Sequence, residues 1–300
     1  MSPIRLATRK SPLAVLQANF VKSLIEQSGH EAELVLIETK GDQRTDVPLK
    51  TIGGQGVFAV EIQRAVLEGR ADVAVHSAKD LPSTTPEGLF IACVPERRSV
   101  SDVLVGRSLA GLGPGATVAT GSPRRRALLL EKRPDLNVVE LRGNMATRLS
   151  TPGRDGVDAV IAAKAALERL GEESLIAEEL DTQWYVPQVG QGALALETRS
   201  DDETTNSILR GFQNDSAAKA LECERAFLRE LGAGCSIPAG AYATVGSDTI
   251  SITGLMIAAD GSTALRETLV GVDPEALGRE LAKILRDERG GSELLGWASE

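Results

Sequence analysis

Cys235 is the residue whose setting most clearly suggests covalent chemistry. It lies in 230-ELGAGCSIPAGAYA-243, a stretch rich in small residues with glycines close on both sides of the sulfur. Neither histidine of the chain, His30 or His76, is nearby in sequence to activate it, and no second cysteine is spaced to share a metal. Free cysteine is commonly an inert core residue, but a glycine-flanked loop argues against that role here. The thiol therefore requires a chemical explanation.

Three consecutive arginines suggest an anion site. A Ser-Pro helix start in 121-GSPRRRALL-129 places Arg124, Arg125 and Arg126 in the first turn of a predicted helix. The positive end of the helix dipole disfavours cations there, at a cost of roughly a few tenths of a kcal/mol per charge. A bound carboxylate or phosphate would reverse this cost through the free N–H groups and the guanidinium forks. The alternative is that the three side chains are solvated on an exposed helix.

Further charged residues follow predicted strands. Arg142 lies at the end of a predicted strand, 137–143, Arg148 follows that strand, and Arg9 occupies the matching loop near the amino terminus. Asp80 ends another strand, in 75-VHSAKDLP-82. Open α/β sheets place ligands at the carboxyl ends of their strands, so these residues together predict an arginine-lined cleft that binds anions. Within it a carboxylate such as Asp80 would meet a cation; otherwise it is a solvated turn residue. His76 fits a packed strand residue as well as a catalytic one.

The elements that would position these residues alternate between strand and helix. Ser11 is the predicted N-cap of a helix that starts at Pro12 and stops at Gly29. The remaining predicted elements of the first unit are strands at 4–8, 33–39 and 71–77 and a helix at 61–69. This rhythm predicts a mostly parallel sheet covered by helices.

The plan repeats once and is followed by a different unit. Residues 117–171 repeat the opening of the chain: a predicted strand leads into a helix that starts at Ser-Pro, and a second strand follows. A third strand then leads into another helix. Two similar α/β lobes with a cleft between them are expected. From Asp215 an amphipathic helix, a hairpin over 250–273 and a final helix predict a small α+β domain. Cys235 falls near the end of the first helix of that domain.

Composition restricts the class of protein. The 300 residues are 42% hydrophobic and 25% charged, as in a soluble globular chain of two or three domains. A net charge of -9 disfavours a general nucleic-acid surface. The scattered Cys93, Cys223 and Cys235 fit neither a disulfide framework nor a zinc site. The absence of a signal peptide and of a membrane-length apolar run leads us to expect a cytoplasmic protein.

Seven stretches, in order and covering nearly the whole chain, resemble the porphobilinogen deaminase (hydroxymethylbilane synthase) family. They are 5-RLATRKSPLAVLQA-18, 52-IGGQGVF-58, 75-VHSAKDLP-82, 121-GSPRRRA-127, 141-LRGNMATRL-149, 188-QVGQGALALE-197 and 222-ECERAFLRELGAGCSIPAGAYA-243. Each is short, but their order matches that of the family. The part after Gly246 matches only loosely.

The resemblance implies a fold and a domain division. Two lobes similar to those of periplasmic solute-binding proteins would enclose a cleft, with a small C-terminal α+β domain beside them. Domain 1 would comprise residues 1–95 together with 193–213, since the chain crosses back. Domain 2 would span residues 96–192 and domain 3 residues 214–300.

The resemblance also implies a reaction. Members deaminate porphobilinogen and condense four molecules head-to-tail into hydroxymethylbilane for tetrapyrrole (haem-type) biosynthesis. A dipyrromethane cofactor, attached by a thioether at the position of Cys235, is the primer. Asp80 would stabilise the developing positive charge. The implied cofactor-binding residues are Ser77, Lys79, Thr120, Ser122, Arg124, Arg125 and Arg148. Those implied for substrate or chain handling are Arg9, Ser11, Gln17, Arg142, Arg169 and Gln191. No metal, membrane or nucleic acid is expected, and a monomer is favoured.

Two other functions use part of the same pattern. A non-catalytic solute-binding protein would share the lobes and the arginines, but it needs export and leaves Cys235 without a purpose. A cysteine-nucleophile acyltransferase would use Cys235, but only His30 and His76 could supply its base. A covalently bound pair of pyrrole rings would separate the deaminase from both.

Overall fold

The computed structural model describes residues 2–39, 56, 59–232 and 238–294. Its strands, in chain order, are β1 (Ile4–Arg9), β2 (Ala32–Ile37), β3 (Val73–Ser77), β4 (Leu89–Cys93), β5 (Asp102–Val105), β6 (Thr117–Ala119), β7 (Asn137–Val139), β8 (Ala159–Ala163), β9 (Ile176–Leu180), β10 (Leu194–Arg199), β11 (Ala239–Val245), β12 (Ile250–Ile257) and β13 (Ala264–Gly271). Its α-helices are α1 (Pro12–Gln27), α2 (Val60–Leu67), α3 (Pro123–Lys132), α4 (Met145–Leu149), α5 (Lys164–Leu170), α6 (Glu203–Arg210), α7 (Asp215–Glu230), α8 (Pro274–Lys283) and α9 (Gly291–Leu294).

The strands form two five-stranded sheets of the same design and one three-stranded sheet. The first lobe has the order β2-β1-β3-β10-β4, and the second lobe has the order β7-β6-β8-β5-β9. In each, three neighbouring strands are parallel and the fourth strand runs antiparallel to both of its neighbours. The expected pair of α/β lobes is confirmed. The expectation of a mostly parallel sheet is wrong, because half of the pairings in each lobe are antiparallel.

The antiparallel strands are those that follow a passage between the lobes. The first crossing, residues 94–101, leads from β4 into β5, and the second crossing, residues 181–193, leads from β9 into β10. A strand that enters a lobe from its neighbour starts at the edge where the parallel strands end. Accordingly, Asp102 lies opposite Ala163 and Leu194 lies opposite Ser77. The crossings therefore deliver their residues to the carboxyl edge of each sheet.

The two Ser-Pro helix starts predicted from the sequence are confirmed. Ser11 caps α1 by accepting a hydrogen bond from the Ala14 amide at 3.4 Å, and Pro12 is the first helical residue. Ser122 caps α3 in the same way, accepting from the Arg125 amide at 3.4 Å. The arginine triplet therefore does occupy the first turn of a helix. These short-range features depend only on neighbouring residues.

The C-terminal domain packs two helices against an antiparallel sheet in the order β11-β12-β13. Its core includes Phe227, Ile252 and Leu281, all fully buried. Helices α7 and α8 approach closely at Gly278, where a Cβ would lie 2.2 Å from the Cys223 carbonyl oxygen. The predicted small α+β domain is confirmed by this arrangement.

One buried carboxylate ties the C-terminal domain to both crossings. Glu224 of α7 accepts two hydrogen bonds from Arg97 of the first crossing, at 2.7 and 3.0 Å. It also accepts from the backbone amides of Gly190 in the second crossing and Ala243 in β11. Where the two crossings touch, a Cβ at Gly192 would lie 2.5 Å from the Arg98 carbonyl oxygen, so this position requires glycine. The lobes and the third domain therefore meet at a tightly packed junction.

Candidate active site

The Lys79–Asp80 pair lies at the carboxyl edge of the first lobe. Both residues belong to a single 3₁₀ turn, Ala78–Asp80, that starts directly after β3, and both are half-buried. Ser77, the last residue of β3, exchanges hydrogen bonds with Gln17 of α1 at 2.8 and 3.1 Å. The strand end thus presents an ammonium group, a carboxylate and a hydroxyl group at one edge of the sheet.

The second lobe contributes Arg124 and Arg125, whose guanidinium groups share the carboxylate of Asp102. Arg124 Nη2 donates to Asp102 Oδ2 at 2.6 Å, while Arg125 donates to Oδ1 through Nη2 at 2.6 Å and Nε at 3.1 Å. Arg124 also donates to the Val186 carbonyl oxygen, and Arg125 to that of Ile161. Arg124 is 3% exposed and Arg125 is 9% exposed. The two arginines are therefore held firmly rather than extended into solvent.

Charge and burial set the protonation of this group. Burial alone would raise the pKa of Asp102, but Arg125 and Arg124 hold that pKa well below its usual range. Burial, together with the charge of Arg125, lowers the pKa of Lys79 to about 8, although Asp80 and Asp102 act to raise it. Asp102 is consequently a permanent anion, and Lys79 titrates close to neutral pH.

Gln191 connects the two lobes at this point. Its side chain is fully buried in the second crossing, and its Nε2 donates to Asp102 Oδ1 at 2.9 Å and to the Val100 carbonyl oxygen at 2.7 Å. Its Oε1 accepts a long hydrogen bond of 3.5 Å from Lys79 Nζ. One amide therefore joins the lysine of the first lobe to the carboxylate of the second.

Three more of the predicted arginines follow strands of the second lobe. Arg148 donates from Nε to the Gly143 carbonyl oxygen at 2.9 Å, and burial with the charge of Arg125 lowers its pKa while Asp80 raises it. Arg169 donates to the Gly192 carbonyl oxygen at 2.8 Å, and burial lowers its pKa to about 10. Arg142 forms a 2.7 Å ion pair with Glu140. The charges of Arg125 and Asp80 therefore both act on Arg148.

The other predicted polar residues occupy the same edges. Arg9 ends β1, and Ser11 caps α1 directly after it. Thr120 follows β6, where its hydroxyl oxygen accepts from the Ser122 amide at 3.3 Å. Every predicted site residue in the described part of the chain therefore lies at or near the carboxyl edge of a lobe, as the sheet rule predicts, or in the second crossing.

Two pockets open along these edges. The first pocket, with about 510 Å³ of empty space open to solvent, is lined by residues of both lobes and the C-terminal domain: Ala78, Lys79, Leu81, Ser122, Arg124, Gln188, Val189, Arg225, Leu228 and Ala239. The second pocket, with about 270 Å³, lies between the lobes. It is lined by Leu13, Gln17, Ser77, Lys79, Ala163, Ala165, Ala166, Arg169, Gly190, Gly192 and Ala193. Lys79 contributes to both.

The first pocket suits a group that carries carboxylates. Lys79, Arg124 and Arg225 give it three cationic side chains. Among the described residues, Arg124 Nε is buried without any hydrogen-bond acceptor. A buried N–H of a charged group is costly to leave unpaired. The donor set therefore fits an acidic ligand such as a pyrrole that bears carboxylate side chains.

The histidine and cysteines considered from the sequence either lie away from the two pockets or fall outside the described residues. His76 is buried in β3 with Nε2 at 3.0 Å from Glu197 Oε2, and it lines neither pocket. Cys93 and Cys223 are buried, and burial raises the pKa of each thiol to about 12. Cys235 falls in 233–237, outside the described residues, as does most of the 52–58 motif.

Two further observations concern metal ligands and helix length in the described part of the chain. Its histidine, cysteine and acidic side chains do not come together in any group of three or more that could hold a metal ion. None of its helices is both long and apolar enough to cross a membrane.

Sequence reasoning did not find Asp102 or Arg225. Asp102 is the first residue of a buried strand whose other three residues are aliphatic. An acidic residue in such a strand is the only local sign of its role. Arg225 lies within α7, where it is 5% exposed and donates to the Ser83 carbonyl oxygen at 3.2 Å. The only local signal for Arg225 is an arginine on the buried face of an amphipathic helix.

Comparison with protein families assigns most of the chain. Residues 4–207 match the family model described as porphobilinogen deaminase, dipyromethane cofactor binding domain. Residues 218–287 match the model described as porphobilinogen deaminase, C-terminal domain. Similar curated proteins carry the same name. The one from Bacillus pumilus is 43% identical, with 96% of this chain and 95% of that protein covered. The one from an Exiguobacterium species is 42% identical over 100% of both chains.

Solved structures give a weaker likeness. The methionine binding protein MetQ has a TM-score of 0.45 and 13% identity, with 72% of this chain and 92% of that chain covered. A periplasmic substrate-binding protein of an ABC transporter from Coxiella burnetii has a TM-score of 0.43 and 16% identity, with coverage of 72% and 95%.

Proposed function

Since the chain belongs to the porphobilinogen deaminase family, we propose that it condenses four porphobilinogen molecules head-to-tail and releases hydroxymethylbilane. The reaction would extend a dipyrromethane primer and release one ammonia for each unit added. The observation that carries this proposal is a pocket shared by three domains, with Lys79, Arg124 and Arg225 in its lining and Asp80 next to Lys79 in the same turn. The product serves tetrapyrrole biosynthesis.

Substrate charge explains why an acidic chain gathers cations at one cleft. Porphobilinogen carries an acetate and a propionate group, so each added unit brings two carboxylates into the cleft. Guanidinium forks bind carboxylates with two parallel hydrogen bonds, which fixes orientation as well as position. We assign Ser77, Lys79, Thr120, Ser122, Arg124, Arg125 and Arg148 to the cofactor, and Arg9, Ser11, Gln17, Arg142, Arg169 and Gln191 to the substrate and the growing chain.

Asp80 is the proposed catalytic residue. Loss of ammonia from porphobilinogen leaves an azafulvene, which is cationic when protonated. A carboxylate beside that cation stabilises the charge that develops in the transition state. When bound, the dipyrromethane supplies the pyrrole α-carbon that attacks this electrophile. Lys79, which is next to Asp80 in the chain, and Arg148 would hold carboxylates of the cofactor near it.

Cys235 is the proposed attachment point of the dipyrromethane. It lies outside the described residues, but the elements on both sides of it line the first pocket, through Leu228 of α7 and Ala239 of β11. Only six residues separate Gly232 from Ala239, counting 233–238, and each spans at most roughly 3.6 Å. A thioether formed in this stretch therefore stays within reach of the first pocket.

We extend the proposal to the organisation of the protein. The domains are residues 1–95 with 193–213, residues 96–192 and residues 214–300. A monomer is expected, because the residues assigned to the site all come from one chain. A cytoplasmic location is supported by the free thiols of Cys93 and Cys223, since oxidising compartments favour disulfides.

The direct test of the activity is stoichiometry. Purified protein incubated with porphobilinogen should release one ammonia for each molecule consumed and one hydroxymethylbilane for every four. Heat-treated protein serves as the control for spontaneous condensation. Binding of porphobilinogen without ammonia release would contradict the proposal and favour a solute-binding protein.

The arginine pair provides a graded test of cofactor binding. Arg124→Leu or Arg125→Leu should lower the rate of cofactor assembly about 10–100-fold, since a charge-assisted hydrogen bond to a carboxylate is worth about 1.5–3 kcal/mol. Arg126→Leu is the matched control, because this side chain is exposed and donates to the Val138 carbonyl oxygen rather than to the site. Intact mass against time measures assembly. Equal losses in all three variants would contradict a directed anion site.

Lys79 should give assembly a pH dependence. Its pKa of about 8 means that the ammonium group is charged below pH 8 and neutral above it. The rate of adduct formation in cofactor-free protein should therefore fall as the pH rises through about 8, at least tenfold if one charged hydrogen bond is lost. Lys79→Arg should remove this decrease, because a guanidinium stays protonated. An unchanged alkaline limb in Lys79→Arg would assign the titration to another group.

A further inference from the structure

Asp102 has an unusual place for a buried carboxylate. It is the first residue of β5 and is 0% exposed. Its two oxygens accept four side-chain hydrogen bonds, from Arg124, Arg125 (two bonds) and Gln191, at 2.6–3.1 Å. The carboxylate is thus the common acceptor of Arg124, Arg125 and Gln191.

The charge balance around Asp102 is not that of a structural ion pair. Two guanidinium groups share one carboxylate, so the buried unit keeps a net charge of about +1. Burying an excess charge is unfavourable, and replacing buried ion pairs with apolar residues commonly stabilises a protein. Stability alone therefore does not account for this arrangement. An entering anion would balance the excess charge, and Arg124 lines the first pocket, where such an anion would bind.

The unit also spans the boundary between the lobes. Asp102 lies where the first crossing enters the second lobe, and Gln191 lies in the second crossing. Through Gln191 the carboxylate is two hydrogen bonds away from Lys79 in the first lobe. A shift of Asp102 would therefore displace cations on both walls of the cleft.

We propose that Asp102 is a positioning residue for the reaction: it holds Arg124 and Arg125 in the orientation that receives carboxylates of the cofactor and, through Gln191, links them to Lys79. The inference rests on the proposed cofactor site and adds to it a residue that does not touch the ligand. Asp102 acts by keeping the cationic wall assembled before the ligand arrives. Preorganisation of this kind lowers the cost of ordering long side chains during binding.

Asp72 offers a matched control for this role. It binds the Arg5 guanidinium through both oxygens, with Oδ2 at 3.1 Å from Nε and Oδ1 at 2.7 Å from Nη2, and Oδ2 also accepts from the Arg5 amide. This pair joins β1 to the loop before β3 and lines neither pocket. Asp72→Asn therefore removes one charge from a hydrogen-bonded arginine pair that lies outside both pockets.

The test compares Asp102→Asn with Asp72→Asn in cofactor-free protein, prepared in cells that cannot make porphobilinogen. Asp102→Asn should slow adduct formation from porphobilinogen by about 10²-fold, whereas Asp72→Asn should stay within about twofold of the wild type. Intact mass against time gives the rate, and thermal melting checks the fold. Assembly of folded Asp102→Asn at the wild-type rate or faster would overturn the proposal.

The pH profile distinguishes positioning from general destabilisation. The charged groups that act on Lys79 are Asp80, Asp102, Arg124 and Arg125. Removing the Asp102 charge takes away an anion that keeps Lys79 protonated, so the alkaline limb of assembly should move to lower pH. Asp72→Asn should leave the limb in place. An unmoved limb in Asp102→Asn would show that the carboxylate is not coupled to Lys79.

A second variant keeps the proposal testable if Asp102→Asn does not fold. Arg125→Lys retains the positive charge but cannot donate twice to Asp102 Oδ1. Assembly in this variant should fall at least tenfold, because position rather than charge is lost. Wild-type assembly by Arg125→Lys would contradict the inference. Assembly by the wild-type protein is the separate test of the proposed function, so a failure there is distinguished from a failure here.

Discussion

Asp80→Asn should keep its dipyrromethane and lose its turnover. The substitution preserves size and part of the hydrogen bonding but removes the negative charge. At about 4 Å and an effective dielectric near 20, one charge pair is worth roughly 4 kcal/mol. Only the part gained between the ground state and the transition state changes the rate, so a decrease of about 10²–10³-fold is expected. The measurement is single-turnover incorporation of porphobilinogen into cofactor-loaded enzyme.

Asp80→Glu is the comparison that isolates charge from position. It keeps the carboxylate but moves it by one methylene, so a small residual activity above that of Asp80→Asn is expected. Cofactor content must be measured by mass in both variants before rates are compared. A fully loaded Asp80→Asn enzyme that turns over near the wild-type rate would show that Asp80 is only a turn residue between β3 and Pro82.

Cys235→Ser should yield folded protein without any covalent pyrrole. The hydroxyl group of serine is a much weaker nucleophile than a thiol and does not form the thioether, so activity should fall to background. Cys93→Ser and Cys223→Ser are the matched controls, because both thiols are buried and their pKa of about 12 leaves almost no thiolate at neutral pH. Peptide mapping after proteolysis locates the adduct. An adduct found on Cys93 or Cys223 would refute the assignment.

The part of the fold that the sequence predicted is the part encoded locally. Ser11 and Ser122 mark helix starts through hydrogen bonds to residues three positions away. The antiparallel strands β5 and β10 were not predicted. Their partners are distant in sequence, as Asp102 faces Ala163 and Leu194 faces Ser77. Short apolar strands of this kind carry no periodicity that distinguishes the two directions.

The same contrast applies to the site. The arginine triplet could be found because its residue type is wrong for the helix end that holds it. Asp102 could not be found in this way, because its role depends on residues distant in sequence. Arg124 and Arg125 lie about twenty residues away, and Gln191 is separated from it by 89 residues. The prediction that Arg124 and Arg125 face an anion remains, but the structure adds that they already share a carboxylate of the protein. The residue types were enough to identify Arg124 and Arg125, whereas their partner Asp102 could be found only from the folded structure.

The most direct test of the account is the intact mass of the protein purified from cells that make porphobilinogen. We predict that the purified protein is heavier than the 300-residue chain by two porphobilinogen-derived rings, and that this added mass is recovered on the peptide that contains Cys235. Brief exposure to porphobilinogen should then add further units in steps of one ring. A mass equal to that of the bare chain, unchanged by porphobilinogen, would contradict the account.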